Sequence, residues 1–231
     1  LELYDLGRIP DFPEEPRKDY TQTIETFEDL VQRFPDYRQV DGAHYLMGYA
    51  LLQMGDEETA VDSFKVVVRD FPESQFIQES WVRIGEYYFD VNQYEEAAAA
   101  YLRSLDYGEG RLYDEALFKL GWAKYLGNDY QEALNRFVQL IAYYEEAEDD
   151  VSGALREEAL QYIAVVLAEE DWDLDAVRDP QAGMVRVRNQ LNRGLDWELE
   201  VIDRLAEVWF ENERYDLAIE AFRYVLDIWP F

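Results

Sequence analysis

The sequence predicts an all-α fold, a right-handed superhelix of paired antiparallel helices, and three observations carry that reading. A small residue recurs inside apolar stretches of helical period, at Gly48, Gly85, Gly121, Ala164 and Ala206, each preceded by an apolar residue (Met47, Ile84, Leu120, Ile163, Leu205). Twelve positions after four of them stand Ala60, Ala97, Ala133 and Ala218, and four positions further Phe64, Tyr101, Phe137 and Phe222. Helical stretches end on Phe34-Pro35, Phe71-Pro72 and Trp229-Pro230, where proline cannot continue a helix. Together these describe a two-helix unit. The small residue of the first helix is expected to meet the alanine of the second where the backbones cross, with the later aromatic filling the gap between hairpins.

The elements follow in order. Residues 1–18 carry Pro10, Pro13 and Pro16 and read as an extended arm. Residues 19–231 form the repeat array. It opens with a half repeat, 19–40, in which Tyr20 to Pro35 is a second helix lacking its first. Full repeats follow at 41–77, 78–113 and 114–150, then a degenerate repeat with an insertion at 151–195 and a last repeat at 196–231. Tyr20, Tyr94, Tyr130 and Tyr215 open second helices. Short polar turns join the pairs: Gly55-Asp56-Glu57, Val91-Asn92-Gln93, Gly127-Asn128-Asp129 and Asn212-Glu213-Arg214. In the broken repeat a first helix spans about Ser152 to Glu169, but twelve residues after Ala164 comes Ala176, next to the acidic run Glu170-Asp171-Trp172-Asp173-Leu174-Asp175. No second helix fits there, and the insertion runs on to about Gly194. The chain begins at Leu1 and stops at Phe231 just after a helix-ending proline, with no polar capping helix, so it is expected to be a piece of a longer polypeptide.

This spacing resembles the tetratricopeptide repeat, a helix-turn-helix unit of about 34 residues. His44, Met47, Gly48, Leu51, Ala60, Phe64, Val67 and Pro72 fill its positions in the first full repeat. Trp81, Ile84, Gly85, Tyr88, Ala97 and Tyr101 fill the second, and Ile202, Leu205, Ala206, Trp209, Ala218, Phe222, Val225 and Pro230 the last. Two repeats depart by starting 37 and 36 residues after their predecessors, Gly48 to Gly85 and Gly85 to Gly121. The strings Phe34-Pro35-Asp36-Tyr37 and Phe71-Pro72-Glu73-Ser74 are similar to those of repeat proteins of the bacterial cell envelope: outer-membrane assembly lipoproteins, the Tol-Pal-associated coordinator and gliding-motility proteins. That resemblance implies a scaffold between envelope proteins, periplasmic or associated with the outer membrane, with the cytoplasm as the alternative compartment.

Composition bounds the function. The chain of 231 residues holds 51 acidic and 21 basic residues, a formal charge of -30, which argues against nucleic acid as a ligand. A 48% hydrophobic share excludes a disordered acidic tail, and the lack of cysteine excludes disulfides, zinc-thiolate sites and a thiol nucleophile. No apolar run reaches the roughly 20 residues of a membrane span. Only four of the basic residues are lysine. Such a surface suits a salty medium, a basic partner or bound cations.

The resemblance also places a concave groove on the first helices. Its candidate lining is Tyr45, Tyr49, Glu79, Glu86, Phe89, Phe118, Trp122 and Tyr125, aromatic and acidic with no cation to capture a terminal carboxylate. Aromatics ringed by carboxylates suit a protein or peptide segment with Lys or Arg and apolar anchors. Alternatively the arm or the superhelix itself covers these rings. Trp122, Tyr125 and Phe89 are expected to form the anchor. In the insertion, Asp171, Asp173, Asp175 and Asp179 follow the first half of a calcium loop, lacking its turn glycine and closing glutamate; the other reading is a solvated acidic loop held by Trp172. Residues 181–195 contain no acid but Arg186, Arg188 and Arg193, and Met184, Val187, Leu191 and Leu195 give them an amphipathic helical period. These arginines dock on the chain's own acids or reach a partner.

Catalysis is not expected. His44 fills a packing position. Glu79-Ser80 matches the Glu-Ser pair of helical envelope muramidases, but the downstream Gly-Leu-Met-type segment of that family is absent. The sequence thus reads as a non-catalytic protein-binding scaffold, with a structural subunit of a larger fibre or surface machine as the alternative.

Overall fold

A computed structural model describes residues 19–146, 154–179 and 181–228. The arm 1–18, the start of the eighth helix at Ser152 and the Trp229-Pro230 stop lie outside them. The described residues form helices joined by turns, without strands: α1 (Thr21–Arg33), α2 (Val40–Met54), α3 (Glu57–Asp70), α4 (Ile77–Asp90), α5 (Tyr94–Leu105), α6 (Tyr113–Leu126), α7 (Tyr130–Glu146), α8 (Ala154–Ala168), α9 (Ala182–Gln190), α10 (Asp196–Glu211) and α11 (Tyr215–Ile228). The chain divides into two compact units, Leu1–Ser80 and Trp81–Phe231.

In the first unit α1 packs on α2 and α2 on α3. The recurring glycine explains the α2/α3 hairpin. A Cβ at Gly48 would lie 2.9 Å from the Phe64 ring, so only glycine lets the ring rest on the backbone of α2. His44 is half-buried beside Phe71, ring centroids 6.1 Å apart, in the packing place its sequence position implied.

The second unit repeats the device. A Cβ at Gly85 would stand 2.5 Å from Tyr101, and one at Gly121 would stand 2.7 Å from Phe137. This corrects the expected arrangement: the aromatic lies on the glycine within its own hairpin rather than only filling the gap to the next. Helix α6 packs on both α5 and α7, and α8 on α7 and α10. The core runs through Leu117, Phe137, Leu140, Ile163, Leu167, Leu205 and Trp209, all buried.

Each of four hairpin turns closes in one way. The residue after the turn donates its N–H to a carbonyl five residues back: Asp56 to Leu51, Gln93 to Tyr88, Asp129 to Lys124 and Arg214 to Trp209, at 2.7–3.0 Å. The preceding residue takes left-handed backbone, Gly55 at φ +81°, Asn92 at +59°, Asn128 at +62° and Glu213 at +61°. Gly and Asn adopt that conformation readily; glutamate does so at a cost.

The insertion replaces the missing second helix with a loop and the short α9, which packs against α8 and α11. Met184, Val187 and Leu191 are buried in the main core. Gly183 lets the Trp209 ring approach, with a built Cβ only 2.6 Å from its Cζ2. Asp179 starts α9: its Oδ1 accepts the N–H groups of Gln181 and Ala182 at 3.1 and 3.2 Å.

Candidate binding face

The predicted groove residues fall into different environments. In the first unit Tyr45 is buried, against expectation, because Phe76 stacks on it at 4.5 Å with the rings 12° from parallel. Tyr49, 5.9 Å from it, remains exposed. Glu79 is half-buried.

In the second unit Glu86 is held in an ion-pair network. It accepts from Arg83 at 2.6 Å and from Lys119 of α6, whose ammonium also lies 3.2 Å from Glu115. Phe89 does not join the anchor predicted with Trp122 and Tyr125; it packs edge-on against Tyr94 at 5.6 Å. The partner of Trp122 is instead Tyr162 of α8, with centroids 4.3 Å apart and rings at 65°. Phe118 lies 5.9 Å from the same tyrosine. Tyr125 contacts Trp122 at 6.0 Å and Tyr130 at 5.7 Å, and Tyr130 contacts Trp172 at 5.8 Å. A continuous aromatic row thus runs from Phe118 on α6 through α8 to the insertion, every ring in it half-buried.

Carboxylates border the row. Tyr125 donates its hydroxyl to Glu169 at 2.5 Å, and its phenol is pushed well above the ordinary value, by burial first and then by that hydrogen bond and charge. Tyr162 is raised as well, by burial and then by exposed Glu158, which makes no ion pair among the described residues. Both phenols stay protonated at neutral pH, and Tyr125 serves as a donor to Glu169.

The three arginines of residues 181–195 all dock on the chain itself. Arg186 lies 4.5 Å over the Trp172 ring and donates to the backbone carbonyls of Leu167, at 3.1 Å, and Glu169, which end α8. Arg188 pairs with Glu220 at 2.7 Å. Arg193 reaches Glu198, a fully buried carboxylate that also accepts the N–H groups of Arg193, Gly194 and Leu195 at 2.8–3.1 Å. Of the four calcium candidates, Asp171, Asp173 and Asp175 each bring a carboxylate oxygen within 4.8 Å of the others. Asp179 stands apart from that group as the α9 cap, and Asp175 also accepts the N–H of Val177 at 2.7 Å.

Comparison with known proteins agrees with this architecture. Residues 43–74 and 115–147 match one tetratricopeptide-repeat family model, and residues 78–107 match a second. These three segments are similar to tetratricopeptide repeats. Solved structures share the fold. A MamA protein is 16% identical over 85% of this chain and 86% of its own, with a TM-score of 0.54. A tetratricopeptide repeat protein from Parabacteroides merdae is 12% identical over 98% of this chain and 76% of its own, with a TM-score of 0.56. YrrB, described as having an unusual peptide-binding site, is 14% identical over 90% and 94%, with a TM-score of 0.51. No curated protein matches. The fold class is therefore an all-α superhelical repeat, a fold that generally mediates protein–protein interaction. Among the described residues no helix is long and apolar enough to cross a membrane.

Proposed function

We propose that this chain is a non-catalytic scaffold that binds a protein or peptide segment across the aromatic row of its second unit, within a bacterial envelope assembly. The observation that supports it is the row itself: Phe118, Trp122 and Tyr162 keep half-exposed edges in a continuous aromatic row, and Glu158 and Glu169 stand beside it. Aromatic edges under negative potential suit an apolar segment with lysine or arginine, which gains both ring contacts and charge complementarity. The peptide site described for YrrB is in keeping with this reading. The envelope setting rests on the two apolar-proline strings.

An array of peptides graded in charge and apolarity tests the site. Basic, apolar peptides should bind, more weakly at high salt, and Trp122→Ala or Tyr162→Ala should cost about 2 kcal/mol or more, as anchors do. Equal binding of acidic peptides, or indifference to both substitutions, would remove it. Fractionation of the source cells tests the compartment.

Calcium at the insertion is a subsidiary reading, favoured by the 4.8 Å cluster of Asp171, Asp173 and Asp175 and by a buried Asp171 Oδ1 that has no hydrogen-bond partner. With three carboxylates in place of a full ligand set, affinity should be modest, on the order of 10⁻⁴–10⁻³ M. Calorimetry at millimolar calcium, on wild type and Asp173→Asn, decides it: heat from neither, or equal heat from both, leaves an acidic loop.

A further inference from the structure

Next to the aromatic row the second unit holds a cavity of about 490 Å³, lined from the end of α8, the start of the insertion and α10. That volume lies within the range of ligand pockets, about 300–1,000 Å³. The repeat offset explains why it opens there. Gly121 corresponds to Ala164, a shift of 43 residues, and that shift carries Trp122 and Tyr125 of α6 onto Val165 and Ala168 of α8. Two large rings are thus followed, one repeat on, by two small side chains, and both of these line the cavity with Val208 of α10. Tyr162 of the row and Val165 of the cavity stand three residues apart on α8, as neighbours on its surface.

Three acids also line the cavity, Glu169, Glu170 and Asp171, against one cation, Arg178. Glu170 is neutralised within the chain: it pairs with Arg214 and lies 4.0 Å from Arg178. Glu169 and Asp171 make no ion pair among the described residues. Glu169 accepts the neutral hydroxyl of Tyr125, and Asp171 has a buried oxygen, Oδ1, without a hydrogen-bond partner. A carboxylate oxygen that loses water without gaining a partner is destabilised, and a cation beside it offsets that cost. The nearby arginines are committed elsewhere, Arg186 to the carbonyls of Leu167 and Glu169 and Arg214 to Glu170.

We infer that this cavity seats a lysine or arginine side chain of the bound segment. The alkyl stem lies against Val165, Ala168 and Val208, and the charged head sits beside Glu169 and Asp171. Long cationic side chains bury their stems on apolar surface and keep their heads in polar surroundings, the combination this cavity offers. The inference rests on the peptide-binding reading for its ligand: the apolar anchor of the segment lies on Trp122 and Tyr162, and its cation enters beside them. An acidic side chain would be repelled by the same two carboxylates.

Two probes separate the cavity from the row, both used in EDTA so that no divalent metal competes for Asp171. The first is n-pentylammonium, which reproduces the stem and head of lysine, with 1-pentanol as its neutral counterpart. In an NMR titration the Trp172 indole N–H, assigned by its loss in Trp172→Phe, should shift saturably with the amine and not with the alcohol. Asp171→Asn should weaken amine binding about tenfold or more, the scale of a contact to a charged group. Asp203→Asn makes the same charge change on an exposed residue of α10 outside the cavity lining, and should leave binding unchanged. The second probe is a capped peptide with one tryptophan and one lysine in a Gly-Ser frame, compared with its norleucine version, which keeps the stem and loses the charge. That replacement should cost about tenfold with wild type and little with Asp171→Asn. No amine binding, an equal shift from 1-pentanol, or an equal effect of Asp203→Asn overturns the cavity and leaves the row to be judged by Trp122→Ala. A norleucine loss that is the same in wild type and Asp171→Asn puts the cation elsewhere and overturns this inference alone. Amine binding that depends on Asp171 while no peptide binds overturns the peptide reading and keeps the cation site.

Discussion

At the scale of single residues the repeats depend on an absent side chain. Gly85 and Tyr101 show it most sharply, since a methyl group on Gly85 would stand 2.5 Å from the ring, below any ordinary carbon contact. Tyr101 is almost fully buried and cannot swing away without opening the hairpin. Gly85→Ala should therefore destabilise, by roughly 1–3 kcal/mol, despite the better helix propensity of alanine. Urea denaturation measures this, and Gly85→Ala combined with Tyr101→Leu should lose less than the sum of the two single changes. An additive pair would mean that the ring and the glycine do not share the strain. The lone histidine offers a second test. Burial is the main cause holding the His44 pKa below its ordinary value, with Arg69 adding to it and Asp70 opposing. The folded state thus takes up the proton less readily than the unfolded one, so this contribution is intact above the unfolded pKa of about 6.5 and is lost as pH falls below it. The difference in stability between wild type and His44→Leu should move against wild type from pH 7 to pH 5.5; a constant difference would show that His44 titrates as it does in the unfolded chain.

At the scale of elements, sequence pattern and structure agree where residue type is tied to backbone geometry, and part where it is not. The hairpins were legible because a glycine that must admit a ring, an alanine at a crossing and a proline that ends a helix recur at fixed offsets. Helix α9 was legible from Met184, Val187 and Leu191. The burial of Tyr45 was hidden, since its cover, Phe76, sits in the connection before α4, outside the repeat pattern. Tyr162 was missed because it lies off the motif's groove positions, and only the packing of α8 on α6 brings it to Trp122. Asp179 looked like a metal ligand, but its place next to α9 makes it a cap. The docking of Arg186 was equally hidden, because its acceptors are carbonyls that any residue supplies. That contact fastens the insertion: one guanidinium satisfies two carbonyls at the end of α8 and lies over Trp172. Arg186→Met keeps much of the stem and removes the donors, and should cost about 1.5–3 kcal/mol, the range for hydrogen bonds to a charged group. Hydrogen exchange should speed up first across residues 168–186. Unchanged protection there would assign the hold to Met184 and Val187 alone.

At the scale of the whole molecule, charge sets the stability in solution. Even if each of the 21 basic residues neutralised one acid, 30 of the 51 acids would remain unmatched (51 minus 21). Salt acts in two directions on such a protein. It weakens exposed pairs such as Arg33–Asp29 and Arg103–Asp106, each worth about 0–1 kcal/mol at most. It also screens the repulsion among the excess carboxylates, which is long-ranged and grows with every unmatched pair of charges. The Debye length falls from about 10 Å at 0.1 M to about 3 Å at 1 M salt, shorter than the spacing of most surface charges. Repulsion involves many more charges than the exposed pairs do, so screening should prevail. The melting temperature should rise steadily with sodium chloride across that range, and equally with potassium chloride, because a screening effect does not depend on which monovalent cation supplies it. A melting temperature that is flat or falls with salt would show that the ion pairs outweigh the repulsion. A rise with only one of the two salts would point to a bound cation instead of screening.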